Sequence, residues 1–508
     1  MSNKKNKVSL NPIMTLMILI VVTIVLSGVL ALFGVGASYD TIKNGTYESN
    51  WVAVESLFNL RGIKYIFQST VSNFAAFTPL SMLIIILIGI GIMDKSGFLK
   101  TTFSLITRKC QKKTLTFVLA LICIILSIGG DLAYVVMIPL SALLFYYGRR
   151  NPLLGIVISF AALTCGTGLS FFKTSIDSSL DALTLESSRI LDSSYTFNYL
   201  GYFIIMVVAI LAIAALITYI SERFSVNELP KYEFKDDKKD FKLAKRDIRG
   251  LIFAGTFGII YLLIFIYNII PGLPLSGNLL DYSQKLYIDK LFNPDSFFSQ
   301  GFVFIVTILF VILGLFYGLG SRSIKNSNDF CDYLTHSLDG IGRTIILILL
   351  SSILVNVFKK SNIGTVITAL IGNLITNCKF TGIPLLVLFF IGTAVATFFL
   401  PNTVNKWTIL SASCVPTLMN VGFSAEFIQV IFRFAEGMTY GLTPIMAYFV
   451  IYLAYMEKYN TSDNPIGVFK ILNYQKKYAL ATGVILLIIL IIWYLVGLPI
   501  GIGVMPTI

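Results

Sequence analysis

Two apolar runs, far apart in the chain, are each interrupted near the middle by residues that a lipid-facing helix does not tolerate. Residues 114–150 (TLTFVLALICIILSIGGDLAYVVMIPLSALLFYYGRR) break at Gly129-Gly130-Asp131. Residues 381–421 (TGIPLLVLFFIGTAVATFFLPNTVNKWTILSASCVPTLMNV) break at Pro401-Asn402-Thr403. Each arm has about 15–18 apolar residues, short of the roughly 20 that a full bilayer crossing takes. Short arms around a Gly, Pro or Asn tip read as a re-entrant helical hairpin. Non-helical backbone at membrane depth persists only where protein or a water-filled cavity satisfies its amides and carbonyls. A matched pair of interrupted segments, one in each half, is the sequence pointer to a secondary transporter's substrate site.

Composition fixes the solvent. Of 508 residues, 56% are hydrophobic and 13% charged, and the mean hydropathy is +0.82, outside the range of a water-soluble domain. The net charge of +13 invites a nucleic-acid reading, but the basic residues sit in short loops between apolar spans. Positive-inside bias accounts for them, and no nucleic-acid partner is expected. Cys110, Cys123, Cys165, Cys331, Cys378 and Cys414 show no metal-ligand or redox spacing and read as small packing residues. The one histidine, His336, lies in a polar segment before a span and reads as interfacial. No metal site and no cofactor is expected. Residues 12–36 are too long for the apolar core of a cleavable signal and read as the first helix.

Full spans read at 12–36, 76–94, 152–171, 199–222, 250–270, 299–319, 341–358, 424–456 and 476–498, an all-α polytopic membrane protein with two hairpins added. Segments 1–11 and 499–508 form the tails, and 12–222 and 250–498 the halves. The linker 223–249 carries Arg223, Lys231, Lys235, Lys238, Lys239, Lys242, Lys245, Arg246 and Arg249 and reads as cytoplasmic, together with Lys4, Lys5 and Lys7. Basic residues flank the first hairpin on both sides (Arg108, Lys109, Lys112 and Lys113; Arg149 and Arg150), which places both of its ends inside. The second has only Lys379 close before it, which suits entry from outside. Lys359 and Lys360 on the expected outer side run against this scheme.

The halves repeat. Lys95-Ser96-Gly97-Phe98 corresponds to Lys360-Ser361-Asn362-Ile363, and Gly168-Leu169-Ser170 to Gly441-Leu442-Thr443. The register set by the second match drops Gly129-Gly130 onto Asn402-Thr403. An odd number of crossings between the matched spans makes the repeats inverted. Each hairpin is followed by a span that also breaks, at Thr164-Cys165-Gly166-Thr167-Gly168 and at Gly437-Met438-Thr439-Tyr440-Gly441 with Pro444. Such glycines commonly permit close helix packing. Beside the hairpins they read instead as unwound points that bind ions or anionic groups.

Ionisable residues inside a membrane are costly and functional by default. Asp131 stands at the first tip, where helix capping is the bland role. Asp177 follows the first break, although Asp181, Glu186 and Asp192 after it also fit an exposed acidic loop. Lys406 and Trp407 follow the second tip, where snorkelling and interfacial anchoring are the ordinary explanations. Arg433 and Glu436, three apart on an apolar helix, share a face and can pair. Asp177 has only Lys173 as a cationic neighbour in sequence, which makes it the better candidate than Glu436 for a titrating, proton-coupling group.

The segments GDLAYVVMIPLSALLF, CGTGLSFFKTSID, NKWTILSASCVP and FRFAEGMTYGLTPIMAYF closely resemble the AbgT family, the p-aminobenzoyl-glutamate transporters, and the resemblance extends over nearly the whole chain. It implies a homodimeric inner-membrane secondary transporter. Members are described as importers of p-aminobenzoyl-glutamate or as proton-driven antiporters that export sulfonamide-type antimetabolites. The resemblance assigns proton coupling to Asp177 and Glu436, the latter one carbon longer than the family's usual Asp. It assigns substrate binding to Lys406, Trp407, Pro416 and Arg433, with Asn402, Ser170 and Asp131 added from their places at the breaks. Ser170 stands where the family has Asn, and Pro401-Asn402-Thr403-Val404-Asn405 replaces a Ser-rich tip. The resemblance therefore implies an aromatic carboxylate or folate-related cargo, with a sodium-coupled organic-anion carrier as the alternative and a channel behind both. No P-loop, HExxH or GxSxG motif points to an ATP-driven pump or an enzyme.

Overall fold

The computed structural model describes the chain outside residues 1–9, 44, 171–172, 199–200, 235–241, 294 and 463. Lys4, Lys5 and Lys7 of the N-terminus, and Lys235, Lys238 and Lys239 of the linker, thus lie outside the described residues. The first half opens with α1 (Pro12–Leu32), β1 (Gly36–Lys43), β2 (Thr46–Ala53) and α2 (Leu60–Ala75). It continues through α3 (Thr78–Lys95), α4 (Phe98–Lys109), α5 (Lys112–Leu126), α6 (Asp131–Tyr147), α7 (Pro152–Cys165), α8 (Ser175–Ser188) and α9 (Phe203–Ile220), to the single turn α10 (Val226–Glu228). The second half runs α11 (Lys245–Ile269), α12 (Tyr287–Phe292), α13 (Phe297–Ser321), α14 (Ser327–His336), α15 (Gly342–Lys360) and α16 (Ile363–Asn377). It ends with α17 (Gly382–Phe399), α18 (Thr403–Met419), α19 (Ala425–Thr439), α20 (Phe449–Lys458) and α21 (Val468–Val496). Among the described residues nine helical stretches are long and apolar enough to cross a membrane; they include Lys112–Gly129 and Gly382–Phe399, the first arms of the two interrupted segments, and neither 152–171 nor 424–456.

The repeat in the sequence is a repeat of elements: α3 to α9 recur in order as α15 to α21. The matched Lys-Ser pairs end α3 and α15, and the residue after each turns the chain into the next helix with a left-handed backbone. That residue is Gly97 (φ 93°) in one half and Asn362 (φ 57°) in the other. Glycine takes this conformation freely, and asparagine is among the few residues that tolerate it.

α5 and α6 form a helical hairpin. Its tip is a tight turn at Ser127–Gly129, followed by Gly130 at φ 57° and ψ −129°, a region open in practice only to glycine. Its base is closed by Arg150, whose guanidinium donates to the Lys112 carbonyl at 3.2 Å and to the Thr116 hydroxyl at 3.1 Å. α17 and α18 form the second hairpin. Its base meets at Tyr494: the Phe423 ring lies 5.0 Å away, and a Cβ on Gly382 would sit 3.5 Å from the Tyr494 hydroxyl. α9 and α21 run antiparallel, since Ile205 bonds to Ile500 at one end while Ser221 and Ser225 bond to the Tyr478 hydroxyl at the other. Arg150 pairs with Glu222, at the Tyr478 end of α21, whereas Tyr494 marks the opposite end. The hairpins therefore point at each other from opposite ends of the molecule.

Three expectations change. The span 152–171 is helical only to Cys165, with α8 a separate helix beyond its end, and the span 424–456 resolves as two helices, α19 and α20. Their breaks lie where the two pairs cross, too close for side chains. A Cβ on Gly168 (φ 92°) would come within 2.6 Å of the Arg433 carbonyl oxygen, one on Gly437 within 2.7 Å of that of Cys165, and one on Gly441 within 2.6 Å of the Thr164 hydroxyl. The all-α reading omits the β1–β2 hairpin, paired antiparallel from Gly36↔Ala53 to Lys43↔Thr46. Lys360, out of place in the charge scheme, is paired with Glu55 at 2.7 Å.

The outer helices are exchanged between halves. α13 of the second half packs against α3 of the first, and α1 and α2 of the first pack against α15 of the second. α11 and α13 carry the most exposed apolar faces, among them Ile252, Ile259, Leu263 and Phe304, as lipid contact requires.

Candidate functional site

The crossing of the two breaks holds four charged side chains in an apolar interior. α18 begins at Thr403 because the Asn402 carboxamide oxygen caps it, accepting from the Asn405 amide at 2.9 Å. One turn in, Lys406 points inward, fully buried, with its Nζ 2.8 Å from Glu436 Oε1 and 5.5 Å from the centre of the Phe432 ring. The Lys406–Glu436 contact is an ion pair without hydrogen-bond alignment, so charge attraction carries it. On α19, Arg433 Nη1 donates to Glu436 Oε2 at 2.9 Å, and Nη2 lies 3.5 Å from Asp177 Oδ1 on α8. Arg433 Nε is buried and has no hydrogen-bond partner among the described residues.

Asp177 is also structural. Its Oδ2 accepts from the Thr174 amide at 3.0 Å and the Thr174 hydroxyl at 2.7 Å, while Thr174 Oγ1 accepts from the Asp177 amide, a reciprocal cap on α8. The exposed-loop alternative for this acid is therefore wrong: Asp177 and Asp181 are both buried. Lys173 is the one cationic neighbour of Asp177 in sequence, and the fold brings it a second cation from another helix. Arg433 is its ionic partner, and Lys173 pairs with Asp181 at 3.4 Å.

Lys406, Arg433, Glu436 and Asp177 thus meet, two cations with two acids from three helices and both halves. Trp407 is beside them and fully buried, its ring 4.3 Å from Phe432 and 6.5 Å from Phe389, so it packs in the interior and anchors to no membrane interface. Ser170 is buried two residues after Gly168, close to the same crossing. Asn402 is exposed at its tip. Asp131 is exposed at the other tip, facing the Tyr448 and Tyr440 hydroxyls. Pro416 is buried in the last turn of α18, about 15 Å along the helix from Lys406, and the structure does not bring it to the charged group.

Sequence reasoning missed Asp181, Thr184 and Gln429, which are buried and joined to one another and to Trp407. The signal was spacing. Asp177, Asp181 and Thr184 stand at i, i+4 and i+7, as do Gln429, Arg433 and Glu436, so each set lines one face of its helix.

The model of the AbgT putative transporter family matches residues 4–508. The p-aminobenzoyl-glutamate transport protein of Escherichia coli strain K12 is 25% identical over 505 residues, 99% of this chain and 95% of that protein. Two solved transporters also align along nearly their full lengths. The Alcanivorax borkumensis YdaH transporter is 23% identical, with 97% of this chain and 100% of that one covered and a TM-score of 0.48. Neisseria gonorrhoeae MtrF, described among antimetabolite efflux pumps, is 25% identical, with 99% and 97% covered and a TM-score of 0.48. A match along essentially the whole sequence decides the family, and with the many helices long and apolar enough to cross a bilayer it makes this a multi-pass inner-membrane protein: the chain belongs to the AbgT putative transporter family.

Proposed function

We propose that the protein is a secondary carrier for an aromatic carboxylate of the folate-fragment or sulfonamide-related class, driven by the proton gradient. The observation that carries this reading is the buried, charge-balanced group of Lys406, Glu436, Arg433 and Asp177 where the two breaks cross. Two cations offset two acids, so an incoming carboxylate that engages Arg433, with its unspent Nε, leaves one acid short of a partner. In a low-dielectric interior an uncompensated carboxylate takes up a proton. Binding of anion and proton are then linked by charge balance. Asp177 is the acid that yields: Glu436 keeps Lys406 at 2.8 Å, while Asp177 has Arg433 at the longer 3.5 Å. The proton goes to Oδ1, the oxygen that Arg433 releases, and Oδ2 stays free to cap α8.

In this reading the two hairpins are re-entrant, entering from opposite faces without crossing, and the carrier works in the bilayer as a homodimer. The E. coli relative named for p-aminobenzoyl-glutamate transport supports the cargo class. Counterflow of labelled p-aminobenzoyl-glutamate and of a sulfonamide in proteoliposomes tests it, because only a carrier exchanges labelled for unlabelled cargo. Asp177→Asn should abolish accumulation under a pure pH gradient while retaining substrate binding. Accumulation by that mutant would clear Asp177 of coupling. Wild-type uptake that ignores pH and follows sodium would overturn the proton reading.

A further inference from the structure

The charged group leaves a second set of buried polar side chains unused. The Trp407 indole Nε1 donates to Thr184 Oγ1 at 3.0 Å, and the Thr184 hydroxyl lies 2.6 Å from Gln429 Oε1. Gln429 Nε2 donates to Asp181 Oδ1 at 2.7 Å, and the other Asp181 oxygen lies 3.4 Å from Lys173 Nζ. Trp407, Thr184, Gln429 and Asp181 are all buried; only Lys173 reaches solvent, in a cleft of about 780 Å³ lined also by Arg189, Leu286 and Asp289.

The direction of this chain is dictated from its acid end. An ionised carboxylate only accepts, so Gln429 turns its NH2 toward Asp181 and its carbonyl toward Thr184. Thr184 can then give its proton to that carbonyl and offer a lone pair to the indole, which only donates. The Leu180 carbonyl, 2.8 Å from the same hydroxyl, competes for that proton and makes the arrangement responsive to Gln429. The path runs from Asp181 on α8 to Gln429 on α19, back to Thr184 on α8 and on to Trp407 on α18, beside the path from Asp177 through Arg433 and Glu436 to Lys406. Consecutive residues of the second hairpin are therefore held by two separate polar chains.

We propose that Asp181, Gln429 and Thr184 are positioning residues that act as a directed relay, fixing the Trp407 indole and with it the tip of the second hairpin against α8 and α19. The relay stands on its own geometry; only its effect on transport rests on the reading of Lys406 and Arg433 as substrate groups.

The test uses the full-length protein with Trp51→Phe and Trp493→Phe, leaving Trp407 as the one indole. Thr184→Val, Gln429→Leu and Asp181→Leu should each shift the Trp407 emission maximum and raise its acrylamide quenching, while Thr184→Ser should not. Asp181 does not touch the indole, so its effect is the diagnostic one. Asp181→Asn keeps the shape and gives a second reading should the leucine variant fail to fold. Because its amide lets Gln429 turn either way, it should broaden the emission. In counterflow, the Gln429→Leu variant should raise the apparent KM about tenfold, roughly 1.4 kcal/mol, more than it lowers the maximal rate. Unaltered Trp407 emission and quenching in both Asp181 variants would overturn the relay. A Trp407 response without any change in KM would leave the relay standing and count against the substrate reading instead.

Discussion

Lys406 and Glu436 lie 2.8 Å apart with neither side chain exposed, and they join the tip of the second hairpin to the helix that carries the second break. Breaking such a pair from one side costs about 3–5 kcal/mol, because the surviving charge is stranded. Glu436 would retain Arg433, so Lys406→Met should fall toward the lower end of that range in detergent unfolding. Lys406→Met with Glu436→Gln should recover part of the loss. Additive destabilisation in the double variant would show that the two do not interact.

Arg433 reaches Glu436 with one nitrogen and Asp177 with another. A lysine at this position is a single point charge and cannot hold both acids. Arg433→Lys should weaken substrate binding by tenfold or more without matching Arg433→Ala, for which loss of a buried charge partner sets a scale of about 2–5 kcal/mol. Calorimetry or thermal shift with ligand reads both, and unchanged affinity in Arg433→Ala removes Arg433 from the site.

Gly168 combines a left-handed backbone with a carbonyl against its Cα. Gly168→Ala therefore meets about 1–2 kcal/mol of backbone strain and a clash that only separation of α7 from α19 can relieve. A lowered melting temperature with loss of counterflow is the expected outcome. Gly129→Ala, which meets nothing within 4 Å and has no left-handed backbone, is the control and should melt within a degree or two of wild type.

The opposed hairpins fix a labelling pattern. In a chain whose six cysteines are replaced by serine, Gly45→Cys at the β-hairpin tip should react with an impermeant maleimide added outside whole cells. Thr461→Cys, between α20 and α21, should react only after permeabilisation. Outside labelling at position 461 would reverse the orientation and the inverted entry together.

Much of this was legible because glycine, proline and asparagine mark the places where a membrane helix must stop. Gly129-Gly130, Pro401, Gly168 and Gly441 announced both hairpins and both breaks. The β-hairpin was not read, although Asn44-Gly45 between alternating residues is a strong turn signal; a search for long apolar windows passes over it. Asp181, Thr184 and Gln429 were lost for a different reason. Their meaning depends on two helices from different halves packing face to face, and spacing within one helix does not reveal which partner it meets. Pro416 was placed with the substrate by resemblance alone, and a proline can equally serve the end of its own helix.

The exchange of outer helices has a consequence for biogenesis. α1 enters the bilayer first, but the helix it packs against, α15, is not made until position 342. At about 5–20 residues per second, α1 waits roughly 15–60 s beside the translocon before α15 can pack on it, with only nearby contacts such as the Leu57 amide on Ser27 in place. α3 waits in the same way for α13. The first half is therefore an unfinished surface through most of synthesis, and a ribosome that stalls in the linker releases a product that insertion chaperones or membrane proteases must hold or remove.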